Sequence, residues 1–317
     1  MIVKKREVPL ILLQLQALLR RPPLHHPKIP VLTEELKKRQ SGYNGECAID
    51  YQLSFLDQNN YFIFHDLRLQ DQAHFFQMDT LLVSSKFVLI IEVKNIAGTL
   101  YFDPLFQQMI RTKDGEETAF PNPILQIQRQ EHQLKNWIGE KLKNVPIFSL
   151  VVISNPQTII RTSSKYRNLS QKLIHRDVLP VTIKQMEQKI QEPTLSEREL
   201  KKVVRLLKKH HTEADTSILD RYQISPNELI IGVFCPSCQF NPLTKIHGAW
   251  FCPGCKNSWK EAHVNALTDY KLLIGSTITN RQARQFLQLP SSATTKRLLL
   301  SMNLSFTGDN KSRIYEL

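Results

Sequence analysis

The sequence predicts an α/β chain. A mixed sheet flanked by helices comes first, then a small cysteine-rich module and a helical C-terminal segment. Three observations lead there. The stretch 77–95 (QMDTLLVSSKFVLIIEVKN) reads as two adjoining apolar strands, Thr80–Val83 and Phe87–Val93, around the turn Ser84-Ser85-Lys86. A further buried strand, PIFSLVVIS at 146–154, lies beyond an amphipathic helical stretch, and strands interleaved with helices are the signature of an α/β sheet. Finally, Cys235-Pro-Ser-Cys238 and Cys252-Pro-Gly-Cys255 form two C-x-x-C pairs separated by 13 residues.

Composition sets the bounds. A chain of 317 residues has room for two or three domains. Its 41% hydrophobic and 8% aromatic content is that of a folded protein and excludes a disordered one. The net charge of +13 and pI near 9.5 point to a polyanionic partner, nucleic acid first and an anionic membrane surface second. No apolar run approaches the roughly 20 residues needed to span a bilayer; of the two polyanions nucleic acid is the expected partner, and no membrane. Lys4-Lys5-Arg6 before VPLILLQLQALL imitates a secretion signal. Gln14 and Gln16 interrupt that block, however, and Arg20-Arg21-Pro22-Pro23 follows without a small-residue cleavage site. The expectation is an amphipathic helix, Pro9 to Arg20. Clustered rather than scattered cysteines predict a cytoplasmic location.

Taken in order, residues 1–40 form a basic arm, interrupted by the proline-rich link RPPLHHPKIP. From Glu46, the positions Ile49, Leu53 and Leu56 mark a helix with one buried face, and Glu46 falls in its first turn. Tyr61 to Leu69 is expected as a strand leading to the apolar pair. Leu100–Phe102 and Gln107–Thr112 are expected as further strands around the turn Lys113-Asp114-Gly115. Pro123 opens a helix whose stripe is Ile127, Leu134 and Ile138. The strand 146–154 is expected to be the last central one. The segment 161–176 carries five basic residues and no acid, and reads either as a phosphate contact or as a solvated face. The resulting boundaries are 1–40 for the arm, 41–190 for the α/β domain, 191–230 for a helical connector, 231–262 for the cysteine module and 263–317 for the tail.

The chemistry centres on Asp79, Glu92 and Lys94. Glu92 and Lys94 are two apart on one strand and so share a face. A short hairpin can bring Asp79 beside Glu92. Such a set can hold a hard divalent cation through oxygen; a buried ion-pair cluster without metal is the plainer alternative.

Around that set, Gly42-Tyr43-Asn44-Gly45-Glu46 precedes a helix and Glu92-Val93-Lys94-Asn95 with Gly98 closes the second strand. Asn122-Pro123 and Gln126 open the next helix. The ordered set, over roughly residues 41–155, resembles the nuclease-related (NERD) domain of the PD-(D/E)xK nuclease superfamily. That resemblance implies a restriction-endonuclease-like sheet and a Mg²⁺ or Mn²⁺ ion held by Asp79, Glu92 and the carbonyl of Val93. It implies that Lys94 positions the attacking water, that Glu46 is an additional acid, and that Gln126 touches the site. On the residues alone, Glu46 equally suits a helix N-terminus, and Gln126 a solvated surface.

The four cysteines can wrap one Zn²⁺ as in a zinc ribbon, a closed and therefore structural site; iron fits the same sulfurs, and two disulfides are the alternative. Phe234, Phe240, Trp250, Phe251 and Trp259 read as the module's miniature core, with a base-stacking platform as the other reading. In the tail, Thr279 caps a helix, Pro290 and Ser291-Ser292 make a turn, a second helix follows, and 308–317 forms a hairpin. This is similar to a winged helix. From Arg281 on, six basic residues (281, 284, 296, 297, 311, 313) against Asp309 and Glu316 favour DNA over a protein-interaction role.

The expected function is a metal-dependent nuclease of DNA, ahead of RNA, in DNA processing or repair, with a protein partner at the zinc module left open. The alternative is a DNA-binding scaffold with a vestigial site.

Overall fold

The computed structural model describes residues 1–317 except 73, 140–144, 165, 167, 215–216 and 310–311. The chain divides into two compact units, Met1–Glu7 with Arg39–Ala214, and Val8–Lys38 with Asp215–Leu317. In order, the elements through the first unit are β1 (Ile2–Lys4), α1 (Leu10–Arg20), α2 (Ile29–Leu53), β2 (Phe62–Asp71), β3 (His74–Val83), β4 (Val88–Lys94), β5 (Thr99–Asp103), β6 (Gln108–Lys113), β7 (Glu116–Pro121), α3 (Pro123–Ile138), β8 (Ile147–Ile153), β9 (Ile159–Thr162), β10 (Leu173–His175), α4 (Leu179–Lys189) and α5 (Glu197–Lys209). The boundary between the units falls inside α2.

The first unit is built on a six-stranded sheet of order β1-β2-β3-β4-β8-β10. β3 runs antiparallel to both β2 and β4, while β4, β8 and β10 run parallel. The sheet is mixed, as expected. The strand 146–154 is not the last, because β10 pairs beyond it. Three-residue β10 carries too short an apolar run to read as a strand. A second sheet, β7-β6-β5-β9, follows the central pair. Helices bury their stripes on the main sheet: Leu134 and Ile138 of α3 join Leu200, Val203, Val204 and Leu207 of α5 against Phe64, Leu81 and Ile90. Ile49 and Leu53 of α2 pack with Leu82, Leu89 and Ile91 instead. The segment 191–230, expected as a connector, thus divides: α5 is held in this core, and residues from 215 on fall in the second unit.

Two departures from the sequence reading bear on the site. β3 begins at His74 rather than Thr80. Its alternation breaks at Asp79: Leu81 and Val83 share a core with Met78 and Phe76, one residue out of phase. β2 breaks at Asp66, with Phe64 in phase on one side and Leu67 and Leu69 on the other. Asp66 adopts a left-handed φ of 51°, and such distortions re-aim side chains. Second, Glu46 is not in a first turn but deep within α2, which runs from Ile29 through both glycines. Gly in a helix interior costs about 1 kcal/mol. At Gly45 close approach outweighs that cost, since a Cβ there would lie 2.4 Å from Asn95 Cβ and 2.7 Å from Ser154 Oγ.

The second unit contains α1, the first part of α2, α6 (Ile218–Tyr222), β11 (Thr244–Lys245), β12 (Trp250–Phe251), β13 (Ser258–Trp259), α7 (Ala262–Leu273), β14 (Thr277–Thr279), α8 (Asn280–Phe286), α9 (Ser292–Ser301), β15 (Phe306–Thr307) and β16 (Ile314–Glu316). From α7 onward the order is helix, strand, two helices and a hairpin, with a small sheet β14-β16-β15. That is a winged-helix-like arrangement. Thr279 caps α8 in a capping box with Gln282. Val233, Leu243 and Trp250 of the cysteine module share one core with Leu267, Phe286, Leu299 and Tyr315, so the stretches expected as separate modules, 231–262 and 263–317, are packed together. Phe240 stays 41% exposed while Trp250 is fully buried, which makes the aromatics chiefly core.

Arg21, read as part of a basic arm, is fully buried. Its guanidinium pairs with Asp269 at 2.9 Å, donates to the carbonyls of Ile230 (2.9 Å) and Gly232 (3.2 Å), and lies over the rings of Phe234 and Phe286. No helix among the described residues is long and apolar enough to cross a membrane.

Candidate active site and metal centre

The pairing of β3 with β4 ends at Thr80↔Ile91, and Asp79 and Glu92 each lie one residue beyond that pair. Asp79 Oδ2 accepts the backbone N–H of Val93 at 2.8 Å. Glu92 is 3% exposed and three side chains converge on it. Lys94 Nζ donates to Oε1 at 2.7 Å, Gln126 Nε2 to Oε1 at 2.6 Å, and Gln130 Nε2 to Oε2 at 3.0 Å. Lys94 also donates to Gln126 Oε1 at 3.1 Å. Asn122 fixes the start of α3 by accepting Ile124 N at 3.0 Å, and Gln126 then lies in the first turns, facing the end of β4. Asp79, Glu92, Lys94 and Gln126 therefore meet in one place.

Gln130 is a member that sequence reasoning did not assign. It sits one turn beyond Gln126 on the same face of α3, which was the available signal. Its Nε2 also donates to the carbonyl of Gln77 at 2.9 Å, while its buried Oε1 has no partner among the described residues.

Glu46 enters from α2 under the control of Arg6, whose Nη1 donates to its Oε2 at 3.0 Å. Burial first, and then the charge of Asp66, raise the Glu46 carboxyl to about 7, with Glu92 adding to the push and Arg6 opposing it. Asp79 is raised well above the ordinary carboxylate range by burial, then by the charges of Glu92 and Glu46, which the Val93 N–H and Lys94 only partly offset. Three carboxylates, of Glu46, Asp79 and Glu92, thus meet two cations, Arg6 and Lys94. Free carboxylate and amide oxygens in a site short of positive charge are the donor set that a hard divalent ion takes, and the unpartnered Gln130 Oε1 is a further acceptor beside it. These residues fit such an ion.

In the second unit, the four thiol sulfurs lie within 4.8 Å of one another. Cys235 and Cys255 are 3.6 Å apart at sulfur, and Cys238 and Cys252 3.5 Å. Tetrahedral zinc at about 2.3 Å from each sulfur requires separations of about 3.8 Å, whereas a disulfide requires about 2.05 Å. The cysteines are unbridged, and the set can bind zinc. The knuckle turns aim backbone amides at sulfur, as in Cys255 N to Cys252 Sγ at 3.4 Å. Burial acts to raise the Cys235 thiol, but the amides of Cys238 and Ser237 prevail and bring it down to about 6.

No curated protein matches the chain. The crystal structure of protein VC1899 from Vibrio cholerae shows a slight likeness, with a TM-score of 0.28 and 12% identity over 48% of this chain. This chain covers 36% of the length of that one. Residues 41–154 match the family model described as the nuclease-related domain, NERD. The stretch that brings Glu46, Asp79, Glu92, Lys94, Gln126 and Gln130 together is accordingly a nuclease-related domain.

Proposed function

We propose that the chain is a metal-dependent nuclease that hydrolyses phosphodiester bonds, DNA ahead of RNA, in DNA processing or repair. The observation that carries this reading is the meeting of Asp79, Glu92, Lys94 and Gln126 at adjoining strand ends in an undercompensated negative site. Asp79, Glu92 and the Val93 carbonyl would hold Mg²⁺ or Mn²⁺, with Glu46 beside them. A divalent ion there lowers the pKa of water and offsets phosphoryl charge. The chain's own residues do the positioning. Lys94, 2.7 Å from Glu92, orients the attacking water or a phosphate oxygen. Gln126 holds Lys94 and Glu92 in register, and Gln130 keeps the second Glu92 oxygen turned toward α3.

Nucleic acid as the substrate is supported by the matched domain, by the net charge of +13, and by Lys296 and Arg297, both exposed on α9 of the winged-helix-like segment. Arg313 stacks on Phe306 at 3.8 Å in the wing. Lys165, Arg167 and Lys311 of the basic stretches lie outside the described residues. The four-thiol set would carry structural Zn²⁺ and leave the module's surface free for a protein partner. Unbridged cysteines suit a reducing, cytoplasmic setting.

One observation favours a second reading, a DNA-binding scaffold with a vestigial site: both oxygens of Glu92 are already engaged by donors. Cleavage of linear, circular and single-stranded DNA and of RNA with Mg²⁺ or Mn²⁺ separates the two. The nuclease reading expects cutting that chelator, Asp79→Ala and Glu92→Ala each abolish while binding persists. Salt-sensitive binding without cutting would instead establish the scaffold.

A further inference from the structure

We infer that Arg6, which lies outside the matched domain, is a positioning residue of the candidate active site and acts through Glu46. The inference rests on the nuclease reading of that site. β1 pairs parallel to the edge of β2, with Ile2 opposite Ile63 and Lys4 opposite Phe64. This docking delivers Arg6 beneath the strands that carry the site. Its side chain is only 4% exposed, so it is closed off from a substrate.

The guanidinium uses its whole fork. Nη1 donates to Glu46 Oε2 at 3.0 Å and to the Asp79 carbonyl at 3.5 Å, and lies 3.6 Å from Asp66 Oδ2. Nε donates to Asp50 Oδ2 at 3.2 Å. Nη2 donates to Asp50 Oδ1 at 3.2 Å and Thr80 Oγ1 at 3.0 Å, and meets His65 Nδ1 at 2.9 Å. Burial, followed by the Arg6 charge itself, lowers His65 to about 4. The ring is therefore neutral at pH 7 and can accept that hydrogen bond. One side chain thus ties α2, β2 and β3 together at the residues flanking Asp79.

This arrangement does more than balance charge. Three partly exposed carboxylates, of Glu46, Asp50 and Asp66, face one enclosed guanidinium. Of the two Glu46 oxygens, Arg6 holds one and the other has no partner among the described residues. The held oxygen sets the direction of the free one. A planar, bidentate-capable guanidinium fixes that direction, and an ammonium does so less well.

The test is a double-mutant cycle on the full chain with Arg6→Gln, Glu46→Gln and both together, beside Arg6→Lys. Circular dichroism and thermal melts identify folded variants, and assays run well below their midpoints. If Arg6 acts through Glu46, Arg6→Gln lowers kcat by about tenfold or more with KM changed less than about twofold. The double variant is then no worse than the poorer single one, because the two losses are the same loss. Arg6→Lys regains part of the rate. Mn²⁺ binding, followed by its paramagnetic resonance signal, gives a readout without turnover: both single substitutions shift the Mn²⁺ affinity by the same factor, and the double shifts it no further. Folded Arg6 variants that cut like wild type, or losses that multiply in the double variant, overturn this inference and leave the nuclease reading standing. A wild type that binds Mn²⁺ without cutting sinks the nuclease reading, and the cycle is then decided on Mn²⁺ affinity. A wild type that neither cuts nor binds Mn²⁺ removes both.

Discussion

Glu46 should make the metal-free protein lose stability as pH rises, and Glu46→Gln should abolish that loss. The carboxyl moves from an ordinary 4.5 to about 7 on folding, chiefly through burial and the Asp66 charge. Between those two values the folded chain binds more protons than the unfolded one, so unfolding becomes easier with every step in pH. Below 4.5 both states are protonated and Glu46 contributes nothing. Above 7 both are ionised and the full penalty applies. At 1.36 kcal/mol per pKa unit, that penalty is at most about 3 kcal/mol. The side chain is 20% exposed and shares its charge interactions with Asp66, Glu92 and Arg6, so about 2–3 kcal/mol is the working expectation. A glutamine keeps an oxygen for Arg6 while removing the charge. In urea unfolding with chelator present, Glu46→Gln and wild type should have similar stability at pH 4.5. The variant should lead by about 2–3 kcal/mol at pH 8. Saturating Mg²⁺ should narrow the gap at pH 8, because the ion supplies the charge that the site lacks. Parallel stability curves for the two proteins from pH 4.5 to 8 would refute the assignment of Glu46 to an undercompensated site.

Two further outcomes follow from the second unit. Arg21→Met should cost about 3–5 kcal/mol in urea unfolding, because Asp269 retains only Arg20 and two buried carbonyls lose a donor; a change below about 1 kcal/mol would contradict the buried pairing. Cys252→Ser, or a strong zinc chelator, should release one zinc per chain by elemental analysis and unfold the second unit, since metal binding there is part of folding free energy. An unchanged melt after zinc loss would show that the core of Trp250, Phe286 and Tyr315 stands by itself.

Much of the candidate site was legible because its parts lie within short runs of sequence. Glu92 and Lys94 declare themselves as charges in an apolar strand, and the hairpin turn at Ser84 brings Asp79 back beside them. The C-x-x-C pairs are local in the same way, each a single turn. The errors came where tertiary contact overrode a local signal. Gly42 and Gly45 read as a break before Glu46. A Cβ at Gly45 would strike Asn95 and Ser154, so that glycine answers to packing while the helix runs on. β3 read as starting at Thr80 because its phase breaks at Asp79, and the break itself is part of what turns that carboxylate toward Val93.

Arg6 and Arg21 are the sharper lesson. Both sit in the stretch that reads by composition as a basic arm, and their side chains are nonetheless enclosed, at 4% and 1% exposure. Nothing near either in sequence announces its partners: Asp50 and Glu46 lie some forty residues from Arg6, and Asp269 is 248 residues from Arg21. Pattern reading detects apolar periodicity, and a buried arginine has none to detect. It is found from the other side, as a cation that a cluster of acids requires. Glu46, Asp50 and Asp66 are such a cluster, and their shared demand brings an N-terminal strand against a candidate site whose carboxylates lie on β3 and β4.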